Sequence, residues 1–396
     1  MGKQLKCLKG KGLETQMSDC AVHRYTAGIM AFGKGSRDRR NFKSTKSTSA
    51  QSLKPQLTRL YGCKFNQELR LPDCSKVLVA KHQKYLLKSH WSGEKVHFAQ
   101  ACANHLRSMG FRGGGMILNT KAGKSSFRRN GRFYYLQTYV GGTKVRLPNM
   151  AQTTSLFRLL GQIHKYGEGF VPPAWRVSPK VFPCNTQVLR QGMDYLEEVY
   201  HNVIQSRHRS VLDELFLDSY CYFKDQGDLA ICQIEQSGIN DLLAKLSERG
   251  NLCYPSISDQ AARFLGDHQA VLNDYTGCQL GLPVYDVAIL LIKTMTEYGW
   301  SSALKGKCLS KYQDTRPLTA EEMGVMHGLL AFPFSYWRVI HTYYQSRQFH
   351  ESLQGIMCWE TCPEVVIQLE AKVSKILNRL LEQEGKRRNF LSELTD

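Results

Sequence analysis

The chain lacks any run of about 18 apolar residues, the length that a membrane-spanning helix needs. Its first residues, Met-Gly-Lys-Gln-Leu-Lys, also lack the apolar segment of a secretory signal. We therefore expect neither a membrane span nor a secretory signal. Acidic residues are scarce as well, because 34 Asp and Glu stand against 53 Lys and Arg and leave a formal net charge of +19. Such a charge calls for an acidic partner, and nucleic acid, an anionic polymer or a nucleotide would each qualify.

Regular cysteine spacing is missing too. The 13 cysteines are odd in number and scattered irregularly. This pattern favours reduced thiols in a cytoplasm over a disulfide framework. Hydrophobic residues make up 42% of the chain and aromatic residues 10%, which excludes wholesale disorder. At 396 residues the chain is long enough for two lobes with separate cores.

Residues 1–57 read as a basic, disordered tail. Residues 1–55 contain 12 Lys and Arg against 3 acidic residues, in a polar sequence with little apolar content. Such a segment cannot bury enough apolar surface to offset the entropy lost on ordering. Two interpretations stay open: a solvated extension without function, and an arm that binds a polyanion such as nucleic acid.

Residues 58–141 have the pattern of a small α+β lobe. Short strands are interrupted by one helix, and two glycines at its end predict a flexible hinge. We predict strands at residues 61–68, 76–80, 84–88, 113–118 and 131–140, and a helix at 94–109.

Residues 142–396 are predicted to form a larger, mainly helical lobe. Apolar residues recur at helical spacing in several segments, at 153–166, 187–206, 210–223, 240–249, 282–298 and 363–393. The sequence Thr319-Ala-Glu-Glu322 has the form of a capping box, which begins another helix. An aromatic and aliphatic stripe from Tyr336 to Tyr344 is predicted to be core rather than a base-stacking surface.

Two aspartates carry the strongest chemical signal. A short loop ends in Asp259, and the apolar strand that follows ends in Asp274. In a phosphotransferase, a carboxylate in such a loop accepts the proton of the substrate hydroxyl, and a second one holds magnesium against the nucleotide phosphates. The plainer interpretation is that both acids are ordinary loop and strand-end residues that pair with nearby arginines.

Four stretches resemble the aminoglycoside phosphotransferase and choline kinase superfamily, and within it the CotS group of bacterial spore-coat kinase-like proteins. They are Tyr85–Lys88, Asn130–Gly142, Gly281–Leu291 and residues 321–344. Their order and spacing extend the resemblance over residues 58–393. It implies a two-lobed, protein-kinase-like α+β fold, with a small lobe built on an antiparallel sheet and a larger helical lobe.

The resemblance also implies roles for individual residues. Lys88 would contact the α- and β-phosphates of ATP, or in the plainer interpretation be an exposed strand lysine, and Glu94 would pair with it. Asp259 would be the general base and Asp274 the magnesium ligand. Asp286 would support the catalytic loop by hydrogen bonding. ATP and magnesium are the implied cofactors.

The chain departs from the family pattern around Asp259 and before the strand of Lys88. Ile257-Ser258 stands before Asp259 where a histidine is expected, and Phe264 replaces the asparagine that would bind a second metal ion. Arg263 adds positive charge where a cation should bind. No G-x-G-x-x-G phosphate loop precedes the lysine strand either. These departures weaken metal binding without removing all of it.

Two functions follow from the resemblance. The favoured one is a pseudokinase that serves as a structural or assembly module of the spore coat, made in the cytoplasm and bound to coat proteins or an anionic polymer. The alternative is an ATP- and magnesium-dependent phosphotransferase that acts on a small-molecule or sugar hydroxyl.

Overall fold

The computed structural model describes residues 53–71, 76–81, 83–145, 149–173, 186–255, 257, 261–266, 269–354 and 363–394. The strands in these ranges are β1 (Gln67–Arg70), β2 (Lys76–Ala80), β3 (Gln83–His90), β4 (Phe127–Arg129), β5 (Arg132–Thr138), β6 (Thr143–Lys144), β7 (Leu252–Cys253), β8 (Ala262–Leu265), β9 (Gln269–Leu272) and β10 (Gln279–Leu280). The helices are α1 (Lys54–Tyr61), α2 (Gly93–Ser108), α3 (Met150–Tyr166), α4 (Thr186–Gln205), α5 (Val211–Gln236), α6 (Ile239–Arg249), α7 (Pro283–Tyr298), α8 (Ser302–Gln313), α9 (Ala320–Ala331), α10 (Phe334–Gln354) and α11 (Pro363–Ser392).

The small lobe is built on a five-stranded antiparallel sheet in the order β1-β2-β3-β5-β4. Successive side chains of a strand point to opposite faces, so each face of the sheet needs its own cover. On β5, Leu136 packs into a cluster with Leu57 of α1, while Tyr135 packs into the main core with Val96 of α2. The predicted sheet lobe is confirmed.

The beginning of the lobe differs from the prediction. Residues 54–57 belong to α1 rather than to the tail, and Leu57 is only 1% exposed. The predicted strand 61–68 was wrong at its start, because α1 runs to Tyr61 and ends at Gly62, whose φ of 73° is left-handed. Pro55 in the first turn favours this helix, since a proline there loses no helical hydrogen bond. Residues 1–52 lie outside the described residues, so the tail stays a prediction.

The predicted strand 113–118 is not a strand. It makes two isolated bridges instead, from Gly114 to Leu272 and from Ile117 to Gln137. A side chain at Gly114 would lie 2.2 Å from the Tyr275 hydroxyl oxygen, so glycine lets this segment pass close to the large lobe. The segment therefore joins the two lobes and adds no strand to the sheet.

The helices of the large lobe agree with the sequence prediction to within a few residues, with two exceptions. The helix predicted at 210–223 continues to Gln236 as α5, and α8 was not predicted. The capping box is confirmed, because the Thr319 hydroxyl accepts from the Glu322 amide at 3.2 Å and the Glu322 carboxylate accepts from the Thr319 amide at 3.1 Å. The predicted aromatic stripe is buried in α10, at Tyr336, Trp337, Val339, Ile340, Tyr343 and Tyr344.

The predicted hinge leads directly into a second sheet. Gly141 and Gly142 have φ values of 76° and 81°, and a side chain at Gly142 would lie 2.8 Å from the carbonyl oxygen of Phe264. The chain then enters β6, which pairs with β8 in a three-stranded sheet of order β6-β8-β9. This sheet carries the candidate site.

Two findings concern the expectations about membrane spans and cysteines that were drawn from the composition. No helix in the described ranges is long and apolar enough to span a membrane. Seven of the cysteines lie in those ranges, and all seven are free thiols. Their location in a reducing cytoplasm stays a prediction.

Candidate active site between the lobes

Lys88 and Asp274 bring the two lobes together. Lys88 lies on β3, opposite Tyr135 of β5, and Asp274 follows the end of β9. The Lys88 ammonium nitrogen is 3.6 Å from Oδ1 of Asp274, and it also donates to the backbone carbonyl of Asn273. Their side chains are 15% and 30% exposed. The structure therefore places an amine from the small lobe against an acid from the large lobe.

The Asp274 carboxylate has one fixed oxygen and one open oxygen. Its Oδ1 accepts from the Thr276 amide at 2.9 Å and from the Thr276 hydroxyl at 2.8 Å. Its Oδ2 accepts no hydrogen bond from the residues that the structure describes. A carboxylate of this kind can serve as one magnesium ligand. Thr276 therefore offers a hydroxyl beside Asp274 and no second negative ligand.

Burial and charge act on Lys88 in opposite directions. Burial lowers the pKa of the Lys88 ammonium, and the nearby Asp274 carboxylate raises it by a smaller amount. The Arg263 guanidinium lowers this pKa further. Gln137 adds a second donor to the Asn273 carbonyl, at 3.0 Å. Lys88 is thus held at the end of β9 by a dipole and a carboxylate.

β8 supplies the two residues that depart from the family pattern. Arg263 is only 7% exposed and pairs in register with Val271, and its charge reaches Lys88. Phe264 pairs with Ala270 and packs partly buried against the main core. A phenyl ring has no metal ligand atom, so β8 offers a cation and an apolar ring where a second metal site would need an amide oxygen. The described residues fit one magnesium ion, not two.

The two other predicted residues do not join this group. Glu94 lies exposed in the first turn of α2 and makes no ion pair with Lys88 or with any other residue in the described ranges. It is the only acid in α2, and the buried polar residue of that helix, Gln100, donates to Asn119 at 2.7 Å. The predicted Lys88–Glu94 pair is therefore replaced by Lys88–Asp274. Asp259 lies outside the described residues, and its role as general base stays a prediction.

Asp286 lies in the first turn of α7, fully enclosed behind the site. It accepts a hydrogen bond from the Tyr254 backbone amide and one from the Cys253 thiol. Both residues belong to β7 or follow it directly, and the chain then runs on to Asp259. Asp286 thus holds the segment that enters the predicted catalytic loop, and its supporting role in that loop stays a prediction.

His164 is the residue that sequence reasoning missed. Its Nε2 lies 3.0 Å from Oδ2 of Asp286 and its Nδ1 lies 2.9 Å from the Tyr312 hydroxyl. The loop before Asp259 has no histidine, and here an imidazole reaches Asp286 from α3 instead. The only signal in the sequence was a polar residue on the apolar face of the predicted helix 153–166. No local pattern could have named its partner, which is 122 residues away.

The chain of hydrogen bonds continues to the far side of the lobe. Tyr312 accepts from Arg316 at 3.1 Å, and Arg316 forms two bonds with Glu322, at 2.7 and 3.1 Å. Glu322 is the residue that caps α9. Because both nitrogens of His164 already have partners, the group of His164, Cys253 and Asp286 functions as part of this network rather than as a metal site.

The protonation state of His164 follows from its surroundings. Burial lowers the pKa of its imidazole, and the Asp286 carboxylate opposes this only in part. Burial raises the pKa of Asp286. A neutral imidazole that donates from Nε2 to Asp286 and accepts at Nδ1 from Tyr312 satisfies both contacts. Protonation would put a second donor beside the Tyr312 oxygen, which already accepts from Arg316.

This protonation state predicts how stability changes with pH. Because the His164 pKa is lower in the folded state than the unfolded value of 6.5, the unfolded chain binds the proton first as the pH falls. We expect its contribution to be complete above pH 6.5 and lost below it, by up to about 1.4 kcal/mol per pH unit. Denaturant unfolding at pH 7.5 and 5.5 should show a larger loss for the wild type than for His164→Gln. Equal losses in both proteins would contradict the prediction, since the two proteins differ only at residue 164.

Comparison with protein families decides what the chain is related to. The family model described as "Spore coat putative kinase YutH" matches residues 54–357, more than half of the chain. The chain belongs to this family. The resemblance to the spore-coat kinase-like group is therefore confirmed.

One solved structure supports the kinase-like fold, and two others are reported beside it. An aminoglycoside phosphotransferase from Alicyclobacillus acidocaldarius subsp. acidocaldarius DSM 446 is similar with a TM-score of 0.69 and 18% identity, over 88% of this chain and 98% of that one. A spectinomycin phosphotransferase, APH(9)-Ia, has a TM-score of 0.46 and 12% identity, over 83% of this chain and 97% of that one. Choline kinase LicA from Streptococcus pneumoniae has a TM-score of 0.38 and 12% identity, over 83% of this chain and 98% of that one. At its identity the first similarity shows the kinase-like fold of the chain and nothing about its substrate.

Proposed function

We propose that this protein is a pseudokinase of the spore coat, a kinase-like module that works by binding other coat components and not by transferring phosphate. The observation that carries the proposal is the identity of two residues on β8. There Phe264 packs partly buried against the core in place of a second metal ligand, and the positive charge of the buried Arg263 lowers the pKa of Lys88. Two-metal stabilisation of the transferred phosphoryl group depends on ligands that β8 does not offer. Membership of the spore-coat family supports the location.

The alternative, a phosphotransferase, is favoured by one observation. Lys88 and Asp274 face each other across the lobes at 3.6 Å, as a phosphate-binding lysine and a single magnesium ligand would. Magnesium held there would neutralise the charge of the nucleotide phosphates. In that case Lys88 would hold the phosphates, and Asp274 would orient the ion through Oδ2.

Assays with ATP and magnesium separate the two functions. We expect the purified full chain to show no magnesium-dependent ATP hydrolysis, and no transfer to sugar or aminoglycoside hydroxyls, above the level of Asp274→Ala. The reason is that one carboxylate ligand positions one ion only weakly. Thermal shift measured alongside reports binding without turnover.

A matched control is Asp194→Ala, because Asp194 is an exposed acid on α4, remote in sequence from the lobe junction. Turnover that requires magnesium, persists in Asp194→Ala and disappears in Asp274→Ala would overturn the pseudokinase proposal. Nucleotide stabilisation without turnover would agree with it. Phe264→Asn offers a test in the other direction, since restoring the amide should strengthen magnesium-dependent nucleotide binding.

A further inference from the structure

The positive charge of the protein is concentrated in its small lobe. Residues 53–145 contain 17 Lys and Arg against 3 Asp and Glu, whereas residues 146–396 contain 25 against 28. Between Glu94 and Glu168 there are 12 Lys and Arg and no acid at all. The large lobe is therefore close to neutral, and the small lobe together with the preceding basic residues carries the net charge.

Contacts gather part of this charge on one side of the sheet. The Arg129 guanidinium donates to the side chain of Gln56 on α1 at 3.2 Å, and the Lys121 amide donates to the Leu60 carbonyl at 2.7 Å. These bonds attach the β4–β5 hairpin and the preceding loop to the helix that covers this face. Arg59 lies exposed in the last turn of the same helix.

An exposed tryptophan lies at the edge of the same surface. Trp91 is 69% exposed, and the Arg132 guanidinium carbon lies 4.3 Å from the centre of its ring. This cation–π contact orients both side chains in the absence of a partner. We call the surface the basic face and define it as Arg59, Lys121, Lys124, Arg129 and Arg132, together with Trp91 beside Arg132.

The cations of the basic face have no counter-charge among the residues that the structure describes. The ion pairs that the structure describes for the small lobe are Lys76 with Glu68, at 3.3 Å, and Lys88 with Asp274. None of the described ion pairs involves a residue of the basic face. A surface that holds five cations without a counter-charge attracts an anionic partner and speeds its association.

The exposed apolar residues indicate which kind of polyanion fits. A surface that binds single-stranded nucleic acid presents a succession of aromatic rings, and one that binds a membrane buries several apolar side chains. In the described part of the basic face, Trp91 is the single large apolar side chain that is exposed. Protein interfaces are instead anchored by isolated tryptophans and arginines, whose planar guanidinium pairs with carboxylates through two bonds.

We propose that the basic face docks an acidic polypeptide, with Trp91 as the apolar anchor and Arg129 and Arg132 as carboxylate partners. This surface lies on the opposite side of the sheet from the Lys88–Asp274 site, because Arg132 and Lys88 belong to opposite faces. Binding there is therefore independent of nucleotide chemistry. It extends the coat-module function by giving the module a recognition surface.

The test is fluorescence anisotropy of the full-length chain with a labelled peptide of about 20 residues rich in Glu and containing one Tyr. We expect Arg129→Gln/Arg132→Gln and Trp91→Ala each to weaken binding by about tenfold or more, as for loss of interface hot spots. The control Arg207→Gln/Lys307→Gln removes the same charge from exposed positions on the large lobe and should change the affinity less than about twofold. Arg129→Lys/Arg132→Lys keeps the charge and should retain part of the binding.

Circular dichroism and thermal unfolding show whether each variant is folded. If Trp91→Ala does not fold, Trp91→Phe provides a milder replacement. Equal weakening by the large-lobe control would show non-specific attraction and overturn the proposal. So would unchanged affinity of the Arg129/Arg132 double variant, which would place binding in residues 1–52. Tighter binding of oligo(dT) or of phosphatidylserine vesicles than of the peptide would assign the face to nucleic acid or to a membrane instead.

Discussion

Replacing Asp286 with alanine is expected to lower the free energy of unfolding by about 3–5 kcal/mol, because three buried hydrogen-bond donors lose their common acceptor at about 1–3 kcal/mol each. The Asp286 side chain is 1% exposed, and it accepts from His164, from the Tyr254 amide and from the Cys253 thiol. Alanine would leave all three donors buried without an acceptor, and each costs free energy because water cannot reach it. Chemical denaturation at pH 7.5 measures the loss.

Two variants make this result specific. Asp286→Asn keeps one oxygen acceptor at the same place and should cost less than alanine. Glu297→Ala removes an exposed acid from the same helix and should change stability by less than about 0.5 kcal/mol. If Asp286→Ala unfolded no more easily than Glu297→Ala, the network would not be holding the β7 segment. Hydrogen exchange at Tyr254 reports the same contact independently of global stability.

The second large effect is expected at Arg387, where alanine should cost about 3–5 kcal/mol. The Arg387 guanidinium is buried between α11 and the end of α9. It donates to the carbonyls of Leu330, Ala331 and Phe332 and pairs with Glu384 at 2.9 Å. The last carbonyls of a helix have no partner within the helix, so this side chain supplies their donors. Its loss would also leave the Glu384 carboxylate buried without its counter-charge.

The neighbouring Lys386→Ala is the matched control for Arg387. Lys386 is exposed on the same helix and carries the same charge. Its replacement should change the unfolding free energy by less than about 0.5 kcal/mol. Similar effects of the two substitutions would mean that α11 is held by its apolar residues alone, such as Leu377 and Phe390.

The candidate site shows how far local sequence can reach. Asp274 was singled out at the end of a predicted strand and Lys88 by the family resemblance, and the structure brings the two side chains together. Glu94 was assigned to Lys88 because it is the only acid in its helix. That pairing did not follow, since a residue in the first turn of α2 lies at the surface. The sequence correctly predicted that an acid pairs with Lys88, but it did not identify which acid.

The glycine-rich segment 113–118 illustrates a different limit. Its three glycines followed by Met-Ile-Leu were predicted to form a strand, but the glycines allow close approach to Tyr275 and Thr138 of other elements, so the segment crosses between the lobes. Such an approach depends on elements far away in the chain. Periodicity within a window of a few residues carries no information about it.

The sequence by itself determined the class of the fold, the helices of the large lobe, the capping box at Thr319 and the excess of positive charge. These properties depend on hydrophobic period, capping residues and composition, which are local. The tertiary structure alone decided that Lys88 meets Asp274, that His164 from α3 contacts Asp286, and that Arg132 lies over the exposed ring of Trp91. Each of these contacts joins side chains from separate elements. Electrostatic interaction and burial depend on distance in space, and the separation of two residues along the chain does not predict that distance.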